Sequence, residues 1–224
     1  MADSVKKKEW VLGYSPYDFH GSIYPFNEVF DRGQDVKKHG FEGVDCVALW
    51  GGQDIHPSFY DQKAHPQNGA PDQPSERDLF EWKTMLYCKK NNIPMLGICR
   101  GAQFLCVGAG GSLVQHVSGH GYQHHIDTIH KKLVYVTSTH HQMMNPYAID
   151  HVLIGWSSPA RAIKYEDGEG KNIHIMNVHQ EPEICYFPQV RGLAIQGHPE
   201  YGHASPEFRN YCVELVREYL FPAF

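Results

Sequence analysis

The sequence predicts an α/β fold with a mainly parallel sheet covered by helices, and three observations support this. Short apolar runs alternate with longer mixed stretches, which is the pattern of repeated strand–helix–strand units. The length of 224 residues suits one domain, so we expect a single domain over residues 1–224. Hydrophobic residues make up 42% and charged residues 20% of the chain, a composition that can bury a sizeable core.

Seven apolar runs have the length and composition of strands. They are residues 10–14, 46–50, 93–98, 132–137, 151–156, 172–177 and 192–197. Four mixed stretches fit helices, at residues 26–39, 75–91, 100–109 and 206–220. The helix at 75–91 opens with Ser75 as a cap and shows apolar spacings of three and four. Residues 51–74 are rich in Pro, Gly, Asn and Asp, which predicts a long loop.

The charge distribution and the apolar segments exclude several classes of function. The net charge is −5 with neutral histidines, and the basic residues are scattered apart from a few short runs, so no nucleic-acid surface is predicted. No segment reaches the roughly 18 consecutive apolar residues of a membrane span. The N-terminal stretch lacks the apolar core and cleavage site of a signal peptide. We therefore expect a cytoplasmic protein that binds neither nucleic acid nor a membrane.

The spacings of the cysteines and histidines match neither a disulfide scaffold nor a known metal-binding motif. The six cysteines form no CxxC pair, which predicts free thiols; they are residues 46, 88, 99, 106, 185 and 212. The histidine-rich stretch "HVSGHGYQHHIDTIH" (116–130) suggests a metal site, but it contains neither an HExxH motif nor a paired Cys/His spacing. The sequence therefore predicts no metal and no other cofactor.

Cys99 lies in the pentapeptide "GICRG" (97–101), at the end of an apolar run. The form glycine-x-nucleophile-x-glycine is typical of a tight strand-to-helix turn, the nucleophile elbow. The N-terminus of the following helix would favour the thiolate and leave the Arg100 N–H free to bind an oxyanion. On the pentapeptide alone, a buried structural cysteine is an equal alternative.

A nucleophile needs a base, and the base needs an orienting group. The stretch "QGHPEYG" (196–202) supplies His198 and Glu200 directly after an apolar strand. Pro199 between them can place both side chains on one side of a bend, so that the carboxylate fixes the imidazole tautomer. An isolated HPE is also compatible with a surface loop; the cysteine turn upstream favours the acid–base interpretation.

These segments together resemble a known family. "GICRGAQ" and "GHPE" are similar to the triad of class I glutamine amidotransferase-like proteins. Further motifs, in chain order, resemble the gamma-glutamyl-GABA hydrolase branch: "LWGGQDIHPSFY" (49–60), "RDLFE" (77–81), "GGSLVQH" (110–116) and "STHHQ" (138–142). The resemblance covers residues from about 49 to 201. It implies a flavodoxin-like three-layer sandwich with a nucleophile elbow, and hydrolysis of a gamma-glutamyl amide through a thioester.

The resemblance also implies roles for residues at the matching positions. Cys99 corresponds to the nucleophile, His198 to the general acid and base, and Glu200 to the orienting partner of His198. The backbone N–H groups of Gly52 and Arg100 correspond to the oxyanion hole. The residues expected to hold the glutamyl α-amino and α-carboxylate groups are Gln103, His140, His141 and Gln142. A polar position on the helix surface is an equal alternative for Gln103.

The leading hypothesis is a cysteine hydrolase that cleaves a small-molecule substrate at the amide between a gamma-glutamyl group and an amine. Two alternatives are a glutaminase that supplies ammonia to a separate synthetase partner, and a catalytically silent binding module. The chain departs from the family pattern at Trp50, Cys106 and His116. The sequence leaves open the identity of the amine and whether the chain forms a homodimer.

Overall fold

The computed structural model describes residues 8–12, 24–35, 40–157, 159–173 and 180–222. In these ranges the strands are β1 (Lys8–Leu12), β2 (Phe30–Asp35), β3 (Cys46–Leu49), β4 (Met95–Ile98), β5 (Ser112–Val114), β6 (His116–Val117), β7 (His124–Thr128), β8 (Leu133–Val136), β9 (Met143–Asn145), β10 (Val152–Ser157), β11 (Tyr165–Glu166), β12 (Glu181–Phe187) and β13 (Gly192–Ile195). The helices are α1 (Glu76–Lys90), α2 (Arg100–Gly108) and α3 (Pro206–Leu215), with a π-helical turn at Val216–Leu220. The fold is α/β, as predicted.

A mixed sheet of nine strands forms the centre of the described structure, in the order β2-β1-β3-β4-β13-β12-β10-β7-β8. The strands from β2 to β13 in that order pair in parallel. The strands from β13 to β8 pair antiparallel, so the prediction of a mainly parallel sheet is wrong for this half. Short turns join β7 to β8 and β12 to β13, and such turns connect antiparallel neighbours without a crossover helix.

Most predicted elements are confirmed to within a few residues. The predicted strands at 46–50, 93–98, 132–137, 151–156 and 192–197 correspond to β3, β4, β8, β10 and β13. The run at 10–14 overlaps β1, and its last two residues lie outside the described ranges. The run at 172–177 also falls mostly outside them, although Asn172 forms an isolated bridge with Glu166. The helices predicted at 75–91, 100–109 and 206–220 are confirmed.

The helix predicted at 26–39 is wrong, because residues 30–35 form the edge strand β2. Parallel pairing with β1 supplies this segment with backbone hydrogen-bond partners from a distant part of the sequence. Gly33 lies in the middle of the segment, and a glycine in a helix interior costs about 1 kcal/mol relative to alanine. Residues 36–39 lie outside the described ranges.

Strand β12 was also not predicted from the sequence. Glu181, Pro182 and Glu183 give its first half the appearance of a polar loop. In the structure β12 pairs with β10 on one side and β13 on the other, and both glutamates are buried. Buried partners for the two carboxylates, described below, override the local composition.

Apolar side chains cover both faces of the sheet. On one face, Ala48, Ile98 and Ile195 belong to a core cluster that includes Phe208 of α3. On the other face, strand residues such as Leu49 belong to a second cluster that includes side chains of α1 and α2. The parallel strands β3, β4 and β13 are therefore buried on both sides, as expected for strands between helices.

Three further observations concern the chain as a whole. All six cysteines are free thiols, as predicted. The loop predicted at 51–74 is confirmed apart from one 3-10 turn at Pro57–Tyr60. In the described ranges no helix is both long enough and apolar enough to cross a membrane.

Candidate active site

Cys99 lies on a strained turn between β4 and α2. Its backbone has φ 53° and ψ −109°, in a region that residues other than glycine rarely occupy. A Cβ on Gly97 would collide with the carbonyl group of Gly101, and a Cβ on Gly101 would collide with the carbonyl oxygen of Leu49. The two glycines of "GICRG" therefore allow the turn to pack against the sheet. The side chain of Cys99 is 9% exposed.

His198 and Cys99 meet because β13 and β4 are neighbouring parallel strands that end at the same edge of the sheet. Ile195 pairs with Ile98, and the Cys99 N–H donates to the Ile195 carbonyl at 2.8 Å. The chain then continues to His198, whose Nδ1 lies 2.7 Å from Glu200 Oε1. The ring of Tyr201 stacks on the imidazole at 4.2 Å between centroids. The carboxylate and the stacked ring together fix the orientation of the imidazole.

The surroundings of His198 favour its protonated form. Burial by itself would lower the pKa of the imidazole, but the contacts with Cys99 and Glu200 outweigh burial and raise the pKa to about 10. The Glu200 carboxylate and the neighbouring sulfur both stabilise an imidazolium. At neutral pH the ring can therefore hold a proton beside the thiol.

The loop after β3 supplies the third side of the site. β3 is the other parallel neighbour of β4, so Gly51 and Gly52 come to the same sheet edge as Cys99. A Cβ built on Gly51 would lie 3.0 Å from His198 Cε1 and 3.9 Å from Cys99 Sγ. Gly52 has φ 142°, in the range that favours glycine. This backbone can approach the reacting atoms because no side chain intervenes.

A buried ionic network holds both backbone segments that surround Cys99. Arg77 of α1 donates to the carbonyl oxygens of Trp50 at 2.7 Å and Gly51 at 3.0 Å. The guanidinium of Arg100 pairs with the carboxylates of Asp78 and Glu81. Glu81 also accepts from Arg77 Nε at 2.9 Å, so one carboxylate connects the two arginines.

These roles were not predicted from the sequence, although "RDLFE" (77–81) resembles a family motif. The signal was the placement of one basic and two acidic residues at i, i+1 and i+4 of the predicted helix, in the motif Arg77, Asp78 and Glu81. Ser75 caps the same helix through a reciprocal capping box with Asp78. Attraction to Glu81 and Asp78 outweighs burial and raises the pKa of Arg100, whereas burial lowers the pKa of Arg77.

A cavity of about 360 Å³ opens beside Cys99. All nine residues that the sequence analysis selected line it: Gly52, Cys99, Arg100, Gln103, His140, His141, Gln142, His198 and Glu200. Gln103 Nε2 donates to the Gln142 carbonyl at 3.0 Å, and His140 Nδ1 lies 2.8 Å from the same oxygen. The alternative of an exposed position for Gln103 is wrong, because its side chain is buried.

A second pair of lining residues, His141 and Asp54, forms an ionic contact. His141 Nε2 lies 3.1 Å from Asp54 Oδ2, and this contact raises the pKa of His141. Burial lowers the pKa of His140, because the effect of burial is larger than the opposing attraction of the imidazolium to Glu183. Neighbouring histidines thus present different environments to a bound molecule. Asp54 is a lining residue that the sequence analysis did not select.

The residues therefore offer the parts that acyl transfer requires. A thiol lies near an imidazole that is oriented by a carboxylate, at the N-terminus of a helix and beside a glycine backbone. Helix N-termini and backbone N–H groups stabilise negative charge.

Comparison with known proteins agrees with this chemistry. Residues 29–150 match the Peptidase C26 family. The chain belongs to this family. Among relatives of this Peptidase C26 member is Rv2859c of Mycobacterium tuberculosis, named as a candidate glutamine amidotransferase. It is 30% identical over 174 residues, which cover 71% of this chain and 54% of the relative. The chain therefore spans about half the length of that relative.

Solved structures share the fold of this Peptidase C26 member. A glutamine amidotransferase from Thermotoga maritima superposes with a TM-score of 0.57 at 16% identity, covering 96% of this chain and 85% of that one. The glutaminase domain of the Trypanosoma brucei protein CTPS superposes with a TM-score of 0.56 at 12% identity, covering 98% and 96%. At these identities the comparison establishes the similarity of fold.

Proposed function

We propose that the protein is a cysteine hydrolase that cleaves the amide bond of a gamma-glutamyl amine. The observation that supports this most strongly is the convergence of Cys99, His198 and Glu200 on one cavity, beside the Gly51–Gly52 backbone. Membership of the Peptidase C26 family is consistent with hydrolysis of a glutamine or gamma-glutamyl amide.

In the proposed reaction, the Cys99 thiolate attacks the amide carbonyl carbon and the carbonyl π electrons move to oxygen. The N–H groups of Gly52 and Arg100 would stabilise the oxyanion, and losing one such donor typically lowers the rate by about a hundred- to a thousandfold. Collapse of the intermediate breaks the C–N bond. The departing amine takes the proton of the His198 imidazolium, and a glutamyl thioester remains.

Hydrolysis of the thioester uses the same groups in the reverse sense. Neutral His198 removes a proton from water as the water attacks the thioester carbonyl. The tetrahedral intermediate then expels the Cys99 thiolate and releases glutamate. Glu200 keeps Nδ1 of His198 protonated throughout, so that the other ring nitrogen exchanges the proton.

The wall formed by Gln103, His140 and Gln142 is the proposed site for the glutamyl group. The polar side chains of this wall are nearly all buried. Buried polar groups discriminate strongly against a ligand that leaves them without hydrogen-bond partners. His141, which pairs with Asp54, would also contribute to this site.

The proposal extends to the whole chain. Residues 1–224 would form one flavodoxin-like, three-layer domain with Cys99 at its nucleophile elbow, acting in the cytoplasm. Helices on both faces of the sheet and the strained Cys99 backbone support this description.

A second candidate is a glutaminase that delivers ammonia to a separate synthetase. The similarity in fold to the glutaminase domain of CTPS favours this alternative. The same site would perform the chemistry, with ammonia in place of a larger amine. Dependence on a partner chain distinguishes the two candidates.

The test measures glutamate release from gamma-glutamyl-GABA, gamma-glutamyl-putrescine and glutamine by the purified chain. We expect release from at least one amine conjugate without a partner, and loss of that activity in Cys99→Ala. Cys88→Ala is the matched control, because Cys88 is buried but does not line the cavity. Glutamine turnover alone would favour the glutaminase, whereas inertness of a folded chain toward all three substrates would contradict both candidates.

A further inference from the structure

Three histidines and two glutamates meet behind the cavity wall. We call His120, His124, His140, Glu181 and Glu183 the histidine–glutamate cluster. Each of these side chains is at most 4% exposed. The glutamates come from β12, whereas the histidines come from the segment around β7 and from the cavity wall. The proposed reaction uses His140 only as a lining residue and does not use the other four.

The three imidazole rings converge on a single oxygen atom. Glu183 Oε1 lies 2.8 Å from His120 Nδ1 and 2.9 Å from His124 Nε2. His140 Nε2 lies 3.5 Å from the same oxygen and makes no hydrogen bond to any described residue. The second oxygen, Glu183 Oε2, also has no hydrogen-bond partner in the described ranges.

In each ring one nitrogen, the inner one, faces Glu183 and the other is the outer one. The hydrogen bonds of the outer nitrogens indicate which nitrogen carries the ring proton. His124 Nδ1 lies 2.8 Å from the Tyr122 carbonyl oxygen, and His140 Nδ1 lies 2.8 Å from the Gln142 carbonyl oxygen. A carbonyl oxygen only accepts, so each of these outer nitrogens carries the proton. The inner nitrogen of a neutral ring then presents a lone pair toward the Glu183 carboxylate, which also presents lone pairs.

His120 follows the same pattern. Its Nε2 lies 3.0 Å from Glu181 Oε2. The backbone N–H groups of Arg161 and Ala162 donate to that carboxylate at 2.7 and 2.8 Å, so it is held as an ionised acceptor. An outer nitrogen that donates to a carboxylate is the usual support of a metal-binding histidine.

A metal cation between the rings would give every inner lone pair a partner. Two protonated rings would balance the two carboxylates, but they would leave His140 Nε2 and Glu183 Oε2 buried without a hydrogen-bond partner in the described ranges, which is energetically unfavourable. We propose that the histidine–glutamate cluster binds one divalent transition-metal ion of the zinc class, through His120 Nδ1, His124 Nε2, His140 Nε2 and Glu183.

The distances are compatible with such an ion. The ligand atoms of His120, His140 and Glu183 all lie within 4.8 Å of one another. His124 is outside this group and joins the proposed site through the 2.9 Å contact of its Nε2 with Glu183 Oε1. Zinc binds nitrogen and oxygen ligands at about 2.0–2.2 Å, so neighbouring ligands of a tetrahedral site lie roughly 3.3–3.6 Å apart. The contact of 3.5 Å between His140 and Glu183 matches this spacing. The two shorter contacts must open by about half an ångström on binding.

The ion would stabilise the cavity wall rather than react. His140 is a ligand on one side, and on the other it holds the Gln142 carbonyl that also accepts from Gln103. The metal was not expected from the sequence, because stretch 116–130 contains no zinc motif and the glutamates lie on the distant strand β12.

The test measures zinc in tag-free protein by mass spectrometry, and the visible absorption of the cobalt(II)-loaded chain. All samples carry Cys99→Ala, so that the thiol of the active site cannot hold the ion. We expect about one zinc per chain and the intense visible bands of tetrahedral cobalt. Chelation should lower Tm by several degrees, because an ion that binds only the folded state stabilises it.

Variants test whether the ion is bound at the histidine–glutamate cluster. We expect His120→Asn and Glu183→Gln to lose the ion, and His125→Asn to keep it, because His125 lies exposed on the same strand as His124. Less than a tenth of an ion per chain before and after zinc addition would overturn the proposal. So would an ion that persists in a folded His120→Asn chain. If the variants do not fold, the zinc content and cobalt spectrum of the parent chain still decide the matter.

Discussion

The imidazole of His198 has three neighbours that act on it in different ways. Tyr201 stacks on its face, Glu200 binds Nδ1, and the thiol of Cys99 lies on the other side. The last two raise its pKa to about 10 against the opposing effect of burial. The ring is therefore a proton donor over the whole physiological range in the proposed reaction.

We predict that Glu200→Gln moves the alkaline limb of the profile of kcat/KM against pH toward lower pH. The proposed reaction needs the imidazolium to protonate the amine, so wild-type activity should fall near the His198 pKa of about 10. Removing the carboxylate removes a group that stabilises the imidazolium, which lowers that pKa. An alkaline limb unchanged from that of wild type would contradict the prediction; Glu207→Gln is the control.

The backbone conformation of Gly52 makes this position sensitive to substitution. We expect Gly52→Ala to lower kcat by about a hundredfold or more, because its φ of 142° disfavours alanine and any rotation misdirects the proposed oxyanion donor. Gly121→Ala is the control, since a Cβ at Gly121 meets nothing within 4 Å. Steady-state kinetics on both variants check this, and equal kcat values would contradict it.

At the scale of elements, helix α1 connects two parts of the site that do not touch in sequence. Arg77 holds the Gly51 carbonyl, Arg100 begins α2, and Glu81 binds both arginines. The helix thereby fixes the distance between the two backbone segments that carry the proposed oxyanion donors.

We predict that Glu81→Gln lowers kcat about tenfold or more while KM changes little. A neutral amide cannot balance two buried guanidinium groups, so both segments lose their common anchor. A structural effect alone would lower Tm without separating kcat from KM. Glu76→Gln on the exposed side of the same helix is the control. A KM that rises as much as kcat falls would contradict the positioning role.

The elements also show why part of the fold could be predicted. Helix α1 begins with a reciprocal capping box between Ser75 and Asp78, so its start is specified by local sequence. Strand β2 is held by pairing with β1, and β12 by pairing with β10 and β13. Neither the glycine in β2 nor the paired glutamates in β12 suggest a strand locally. The Cys99 turn could be predicted from the spacing of its two glycines, although the obstacle to a side chain at Gly101 is the carbonyl oxygen of Leu49 on the neighbouring strand β3. The ionic network could not, since it requires the contact between α1 and α2.

At the scale of the whole molecule, one core cluster crosses the boundary between the two halves of the sheet. Ile98 and Ile195 come from the parallel half, and Ile126 and Ile154 from the antiparallel half. All four are fully buried. Packing across this boundary makes the stability of each half depend on the other.

We therefore predict that Ile126→Ala lowers the free energy of unfolding by about 2–5 kcal/mol and that unfolding stays a single transition. Circular dichroism and tryptophan fluorescence in urea check this, because Trp50 lies in the parallel half and Trp156 in the antiparallel half. Leu133→Ala, at an exposed position, is the control. Separate midpoints for the two signals would show that the halves unfold independently.

The position of β12 at the boundary restricts how this chain can vary in evolution. A one-residue insertion or deletion within a strand exchanges the faces of the side chains that follow it. In β12 it would turn Glu183 away from the histidines and present Ile184 to them, while displacing the register with β13, which leads to His198. Length variation among related sequences should therefore fall in the turns on either side of β12. Substitutions near the histidines should be accompanied by substitutions near His198.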